Sequence, residues 1–163
     1  FSEMKSPEVD KFEKLVRDNQ ATIYSVCYMY SNDDDEVADL FQECLINIWK
    51  ALPGFRNGSK IGTWIYRICL NTCISADRKK KSRHTTVSLD ISHDVVAQDS
   101  PNGRQMKVLH DRISTLPPID RAIVLLWLEN IPYDEIADII GVSSQYIGVR
   151  LYRIKEQLKA HKK

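Results

Sequence analysis

Apolar residues recur every three to four positions through most of this chain, which is the spacing of one buried helix face. The first such stretch begins at Ser6-Pro7, a serine cap followed by a proline in the first turn, and ends near Asn32. The second runs from acidic residues 33–36, which resemble a capping box, to Pro53-Gly54, and the third covers about residues 63–80. Only 6 glycines and 6 prolines interrupt the chain, so the pattern predicts an all-α fold.

The helical spacing stops at residues 84–104 and starts again after them. This stretch is polar, acidic and rich in turn-forming residues, which is typical of a linker. Helical spacing then continues to the C-terminal region, with breaks at Pro117-Pro118 and at Pro132. We therefore predict two small helical domains, residues 1–83 and residues 105–163, joined by a flexible linker.

The C-terminal domain carries the pattern of a helix-turn-helix motif. Ala137 is small where two helices must cross closely, and Gly141 lies where a left-handed residue ends the first helix. Val142 is expected to fill the core, and Ser143 or Ser144 to cap the second helix. Such a motif inserts its second helix into the major groove of DNA, although an ordinary helical hairpin would follow the same pattern.

The net charge of +1 argues for no particular partner, but the charge is unevenly distributed. The first 60 residues carry 11 acidic and 7 basic side chains, whereas residues 61–83 carry 6 basic side chains and 1 acidic one. Residues 143–163 likewise hold 6 basic side chains against 1 acidic one. Because local charge decides whether a surface attracts phosphate, the sequence indicates two separate basic surfaces.

Two helices of the N-terminal domain carry candidate interaction surfaces. On the second helix Ile46 lies among charged residues and beside Trp49, which fits a protein-docking surface or a stray exposed apolar residue equally well. On the third helix Trp64, Asn71 and the basic residues 78–83 would suit unpaired bases, because rings stack on bases and cations hold phosphates. The alternative is that Trp64 belongs to the core and the basic run is a solvated helix end.

The four cysteines lie on apolar helical patterns and form no CxxC pair. We interpret Cys27, Cys44, Cys69 and Cys73 as small buried thiols of a reduced, cytoplasmic protein. Cys69 and Cys73 are one helical turn apart, so a metal or redox role is conceivable, but zinc normally requires four ligands. We therefore expect no metal and no cofactor.

Other classes of protein leave no signature in the sequence. We expect no transmembrane helix, because no apolar run reaches about 18 residues, and we expect no signal peptide. Paired carboxylates in a pocket-like context, a glycine-rich phosphate loop and a catalytic triad are not recognisable. The chain is therefore not expected to be an enzyme.

Three segments resemble the extracytoplasmic-function (ECF, group 4) RNA polymerase sigma factors of the sigma-70 family. They are residues 39–55 (DLFQECLINIWKALPGF), residues 62–81 (GTWIYRICLNTCISADRKKK) and residues 116–143 (LPPIDRAIVLLWLENIPYDEIADIIGVS). The resemblance implies a non-catalytic subunit that binds core RNA polymerase and directs promoter-specific initiation. A stand-alone helix-turn-helix regulator is the alternative, but it leaves the surfaces of the N-terminal domain without a role.

The resemblance also implies partners and a location. Residues 1–83 would bind the clamp helices of the largest catalytic subunit and would recognise and melt the −10 element, while residues 105–163 would read the −35 element. An anti-sigma factor is expected as an inhibitory partner, and the protein is expected in the cytoplasm, associated with the nucleoid through RNA polymerase. The residues implied for core polymerase binding are Asp39, Leu40, Gln42, Glu43, Ile46 and Trp49.

The promoter-binding residues follow from the same resemblance. Asn71 would meet the non-template strand, and residues 55–62 would form the wall of a pocket for a flipped base. The residues implied for the −10 element are Phe55, Arg56, Asn57, Ser59, Lys60, Trp64, Arg67, Asn71, Arg78, Lys79 and Lys80.

The recognition helix, about residues 144–159, departs from the family at Gly148 and Val149, where polar or basic residues are usual. A valine can contact a thymine methyl group but cannot read a guanine. We therefore expect Gln145, Tyr146, Arg150 and Arg153 to make the remaining contacts. The residues predicted for the −35 element are Ser144, Gln145, Tyr146, Val149, Arg150, Arg153 and Lys155.

Overall fold

A computed structural model of the chain describes residues 6–56, 60–83 and 101–160, without the side chains of residues 82–83, 101–106 and 160. These ranges contain seven α-helices and one short 3-10 helix, and no strand. The predicted all-α class is therefore confirmed. The residues divide into two units, Phe1–Cys73 and Ile74–Lys163, with the division falling inside the third helix. None of the helices in the described ranges is long and apolar enough to cross a membrane.

Side-chain caps start the first two helices where the sequence predicts them. Helix α1 covers Pro7–Met29, and the Ser6 hydroxyl accepts a hydrogen bond from the Val9 amide at 3.2 Å. Helix α2 covers Asp34–Ala51, and Asp33 Oδ1 accepts from the Glu36 amide at 2.8 Å. These bonds satisfy amide donors that a first helical turn leaves unpaired. The 3-10 helix Leu52–Gly54 then ends α2 at its proline and glycine.

Helix α3 covers Ile61–Arg83 and is longer than predicted. An Asn47 Nδ2 donor on α2 bonds Thr72 Oγ1 on α3 at 2.8 Å, which fixes the register of these two helices. On this helix Ile74 is buried, whereas Ile61, in the first helical turn, is exposed. The core of the first unit is formed by Ile23, Val26, Cys27, Val37, Cys44, Ile48, Leu52, Ile65, Cys69, Leu70 and Cys73.

Four helices make up most of the second unit. They are α4 (Pro101–Ile113), α5 (Pro118–Leu128), α6 (Tyr133–Ile140) and α7 (Ser144–Ala160). Helix α4 begins at Pro101, four positions before the predicted domain start at residue 105, because proline is well suited to a first helical turn. The core of this unit includes Ile113, Leu116, Ile123, Leu126, Ile136, Ile147, Leu151 and Ile154.

The turn between α6 and α7 has the geometry that the sequence predicts, with one exception. Gly141 has φ of 93°, a left-handed conformation, and its amide bonds the Ala137 carbonyl at 2.7 Å. Of the two candidate caps, Ser143 is the one used, since its hydroxyl accepts from the Tyr146 amide at 3.0 Å. The expectation that Val142 fills the core is wrong: its side chain is exposed, and its amide instead bonds the Ala137 carbonyl at 3.0 Å.

Candidate protein and nucleic-acid interfaces

The first candidate surface lies on the outer face of α2. Ile46 and Trp49, three residues apart, are 47% and 44% exposed. The Trp49 ring is held edge-on by Phe12 of α1, with the ring centroids 5.2 Å apart. Large apolar side chains that are exposed together, one of them fixed by packing, are typical of the centre of a protein interface.

Acidic and polar side chains on α2 surround these two apolar residues. Asp39, Gln42 and Glu43 are exposed, and Leu40 is half-buried. The α2 surface therefore combines an apolar centre with a polar, acidic rim, which is the usual arrangement in transient protein complexes. We call Asp39, Leu40, Gln42, Glu43, Ile46 and Trp49 the α2 surface.

The second candidate surface follows α3 and the residues before it. We call Phe55, Arg56, Lys60, Trp64, Arg67, Asn71, Arg78, Lys79 and Lys80 the α3 surface. Phe55 and Trp64 pack against each other, with centroids 4.7 Å apart and planes tilted by 45°, and both side chains are half-buried. They are thus neither fully in the core nor free-standing, so each ring keeps part of its surface accessible. Asn71 is exposed one helical turn after the half-buried Arg67.

Basic side chains occupy both ends of this α3 surface. Arg56 and Lys60 precede the helix and are exposed, while Arg78 and Lys79 are exposed near its end and Lys80 is half-buried. The predicted contacts Asn57 and Ser59 lie outside the described residues. Cations at both ends of this surface, with aromatic rings near the start of α3 and an amide in its middle, fit a bound single strand.

The third candidate surface is the outward face of α7. Tyr152 is 65% exposed, and Tyr146 and Val149 are also exposed, as are Ser144, Gln145 and Arg153. The inward face is the buried row of Ile147, Leu151 and Ile154, so the helix is amphipathic in the way a recognition helix must be. Tyr152 was not among the predicted contacts, although the helical wheel already places it on the outward face.

Arg150 has a structural partner that sequence reasoning did not find. Its Nε and Nη2 donate to the two carboxylate oxygens of Asp120 on α5, each at 2.8 Å. The Asp120 side chain is 3% exposed and that of Arg150 is 32% exposed. The hydrogen bond to Asp120 raises the pKa of Arg150 above its ordinary value. A bidentate pair of this kind holds α7 against α5, so at least two donors of Arg150 are already used.

Lys155 also has an internal partner. Its ammonium group lies 4.4 Å from the centroid of the Trp127 ring on α5, which is a cation–π contact. The side chain is half-buried. Of the basic residues predicted for the −35 element, Arg153 is therefore the one with an exposed side chain.

Two family models match the chain, one in each half. Sigma-70 region 2 matches residues 15–83, and sigma-70 region 4 matches residues 106–158. The chain belongs to the sigma-70 family. Region 2 includes the α2 and α3 surfaces, and region 4 contains the helix-turn-helix. The resemblance seen in the sequence is thereby confirmed, and sigma factors are not enzymes in the catalytic sense.

Individual relatives place this sigma factor in the ECF group. It is 28% identical over 158 residues to the ECF sigma factor SigE of Mycolicibacterium smegmatis, covering 91% of this chain and 60% of that relative. It is 25% identical to the ECF sigma factor SigW of Bacillus subtilis, covering 98% of this chain and 92% of the relative.

Solved structures share the fold of this sigma factor. The sigma factor RpoE in complex with the anti-sigma factor NepR from Bartonella quintana matches with a TM-score of 0.74 and 21% identity, covering 92% of this chain and 95% of that chain. CnrH in complex with the cytosolic domain of CnrY matches with a TM-score of 0.67 and 18% identity, covering 91% of this chain and 85% of that chain.

Proposed function

We propose that this sigma factor binds core RNA polymerase through the α2 surface and directs initiation at promoters that α3 and α7 recognise. The α3 surface would bind and melt the −10 element, with Asn71 facing the non-template strand. The outward face of α7 would read the −35 element. The α2 surface would contact the clamp helices of the largest catalytic subunit.

The exposed apolar pair on α2 carries this proposal. Ile46 and Trp49 are each exposed over nearly half of their surface. Burying them against a partner would contribute about 25 cal/mol of binding free energy for each Å² of apolar area. A stand-alone helix-turn-helix regulator would have no use for such a pair on a helix outside its DNA-binding motif. The pair therefore favours a polymerase subunit over that alternative.

The residues proposed to contact DNA from α7 differ in whether their side chains are exposed or already bonded within the protein. Arg153, Gln145 and Tyr146 are exposed, and Tyr152 joins them as a further candidate. Arg150, predicted from the sequence as a DNA contact, would have to bind DNA with the donors that Asp120 does not use. We therefore propose Arg153 as the principal basic contact of this helix.

An anti-sigma factor would inhibit this protein by covering the surfaces that polymerase and promoter use. Two solved relatives, RpoE and CnrH, are seen in complex with proteins, the first of them an anti-sigma factor. A protein that acts on RNA polymerase would reside in the cytoplasm and associate with the nucleoid through the polymerase.

Run-off transcription with purified core polymerase tests the proposal. Adding the chain should produce a transcript from its promoter, and Ile46→Glu should reduce both this transcript and core binding at least tenfold. Glutamate places a charge in the apolar centre of the α2 surface, where it would be desolvated without a partner. Because Ile46 is exposed, folding should be unaffected.

Val108→Glu is the matched control, since it makes the same kind of change at an exposed aliphatic side chain of α4. It should bind core polymerase as the unchanged chain does. Initiation that does not depend on the added chain would refute the sigma assignment. Equal reductions for both variants would refute the role of the α2 surface.

A further inference from the structure

Three cysteines from three different helices meet in the core of the first unit. Cys27 lies on α1, Cys44 on α2 and Cys73 on α3, and all three are fully buried. Their Sγ atoms all lie within 4.8 Å of one another, and the Sγ atoms of Cys27 and Cys44 are 3.7 Å apart. The packing of α1, α2 and α3 has therefore placed three soft metal-ligand atoms at one point.

The grouping differs from the one that sequence spacing suggested. Cys69 and Cys73 are one turn apart on α3, but Cys69 is not part of the group, although it too is fully buried. Only the approach of α1 and α2 decides which sulfur atoms meet. Cys69 consequently provides an internal control, a buried cysteine on the same helix outside the group.

The distances between the sulfur atoms suit a bound metal ion. With metal–thiolate bonds of about 2.3 Å, a trigonal site separates its sulfur atoms by about 4.0 Å and a tetrahedral site by about 3.8 Å. The Cys27–Cys44 separation of 3.7 Å is close to both values, and all three separations lie within 4.8 Å. Small side-chain rotations would therefore bring the three sulfur atoms to bonding distance of one ion.

We propose that Cys27, Cys44 and Cys73 bind one thiophilic metal ion of the Cu(I) class in a three-coordinate site. Among the described residues no further cysteine, histidine or carboxylate joins the group. Structural zinc sites almost always take four ligands, whereas Cu(I) is a soft ion that three thiolates can satisfy. A disulfide would use only two of the sulfur atoms and leave the third without a role.

Binding would exchange protons for the ion without any change of oxidation state. Each S–H bond that breaks yields one Cu–S bond and releases one proton to solvent. Since binding releases these protons, the apparent affinity for Cu(I) should increase with pH.

A bound ion would join the three helices of the first unit covalently through its ligands. Helix α2 carries Ile46 and Trp49, and α3 carries Asn71, so the ion would hold these three residues on one rigid support. Because the unfolded chain does not present the three thiols together, binding should stabilise the native state.

The test is a Cu(I) titration of the reduced, full-length chain under anaerobic conditions, with a chromophoric Cu(I) chelator as competitor. One ion per chain should be withdrawn from the chelator, and the melting temperature should rise. Cys27→Ala, Cys44→Ala and Cys73→Ala should each abolish this withdrawal. Cys69→Ala, the matched control, should bind one ion like the unchanged chain.

X-ray absorption spectroscopy of the unchanged protein loaded with Cu(I) measures the ligands of the ion directly and does not rely on any variant. It should show three sulfur neighbours at about 2.3 Å. The proposal would be overturned if the chain failed to withdraw Cu(I) from the chelator, or if Cys69→Ala lost Cu(I) binding as the other three variants do. It would also be overturned if the spectrum showed nitrogen or oxygen ligands, or if a disulfide formed in place of the complex. None of these results bears on the transcription assay, so the two proposals fail independently.

Discussion

At the scale of single residues, Arg150 was predicted to contact the −35 element, but in the structure it forms an ion pair within the protein. Its guanidinium makes two 2.8 Å bonds to the buried carboxylate of Asp120. Without that partner, Asp120 would be a charge in the protein interior, which is far more costly than an exposed one. The pair therefore stabilises the second unit whatever Arg150 contacts in a complex.

Replacing Arg150 by alanine should destabilise the second unit by about 3 kcal/mol, because the Asp120 carboxylate is left buried and unpaired. Urea unfolding followed by circular dichroism would measure the decrease. The double variant Asp120→Ala/Arg150→Ala should be more stable than Arg150→Ala alone, since no charge then remains buried. If the single variant unfolds like the unchanged chain, the pair has no structural role.

Cys27 predicts how stability depends on alkaline pH in the metal-free protein. Its pKa is raised from 9.0 to about 12, first by the hydrogen bond to Cys44 and then by burial. The folded state thus prefers the protonated thiol, and its contribution to stability is complete below pH 9 and is lost as the pH rises from 9 towards 12. The free-energy difference between the unchanged chain and Cys27→Ala should shrink over that range. A difference that stays constant to pH 11 would contradict this.

At the scale of elements, α7 contains a glycine that the fold does not require. Gly148 is helical with no positive φ, and a Cβ atom built there would lie 3.8 Å from the Tyr133 ring, an ordinary contact. Gly141, by contrast, ends α6 at φ of 93°, where any other residue is strained. The backbone conformation therefore requires glycine at position 141 but not at position 148.

Gly148→Ala should stabilise the chain by about 0.5–1 kcal/mol through lower backbone entropy in the unfolded state and better helix propensity. Gly141→Ala should destabilise it by about 1–2 kcal/mol, because alanine is strained in the left-handed region. Both changes add one methyl group, so chemical denaturation of the pair isolates the effect of conformation. Equal effects of the same sign would show that the turn geometry is not responsible.

At the scale of the whole molecule, the distribution of charge matches the distribution of proposed partners. The N-terminal residues 1–60 are acidic overall and include the α2 surface, while residues 61–83 and residues 143–163 each carry 6 basic side chains against 1 acidic one. Binding of cationic side chains to phosphates releases counterions, so the number of neutralised phosphates sets how steeply binding falls with salt. The net charge of +1 conceals this arrangement.

Arg153→Ala should reduce the salt dependence of promoter binding by the holoenzyme. The slope of log K against log salt should fall by about 0.9, because one phosphate is no longer neutralised by the guanidinium. Lys107→Ala removes the same charge from an exposed position on α4 and should leave the slope unchanged. Filter binding at several salt concentrations, together with footprinting of the −35 element, would measure both. An unaltered −35 footprint and slope for Arg153→Ala would remove it from the interface.

Local signals in the sequence identified most of the elements correctly. The caps at Ser6 and Asp33 and the turn at Gly141 depend only on neighbouring residues, and each is present as predicted. The errors occur where the outcome depends on packing between helices. Val142 is exposed, contrary to expectation, because a sequence pattern states that a residue is apolar but not what lies against it.

The sequence by itself determined the all-α class, the helix-turn-helix and the family, since these depend on periodicity, capping and ordered motifs. Only the tertiary structure decided which distant side chains meet. It paired Arg150 with Asp120, placed Lys155 over Trp127 and gathered Cys27, Cys44 and Cys73 without Cys69. Contacts between helices are set by the packing of whole faces, so spacing along one helix cannot predict them.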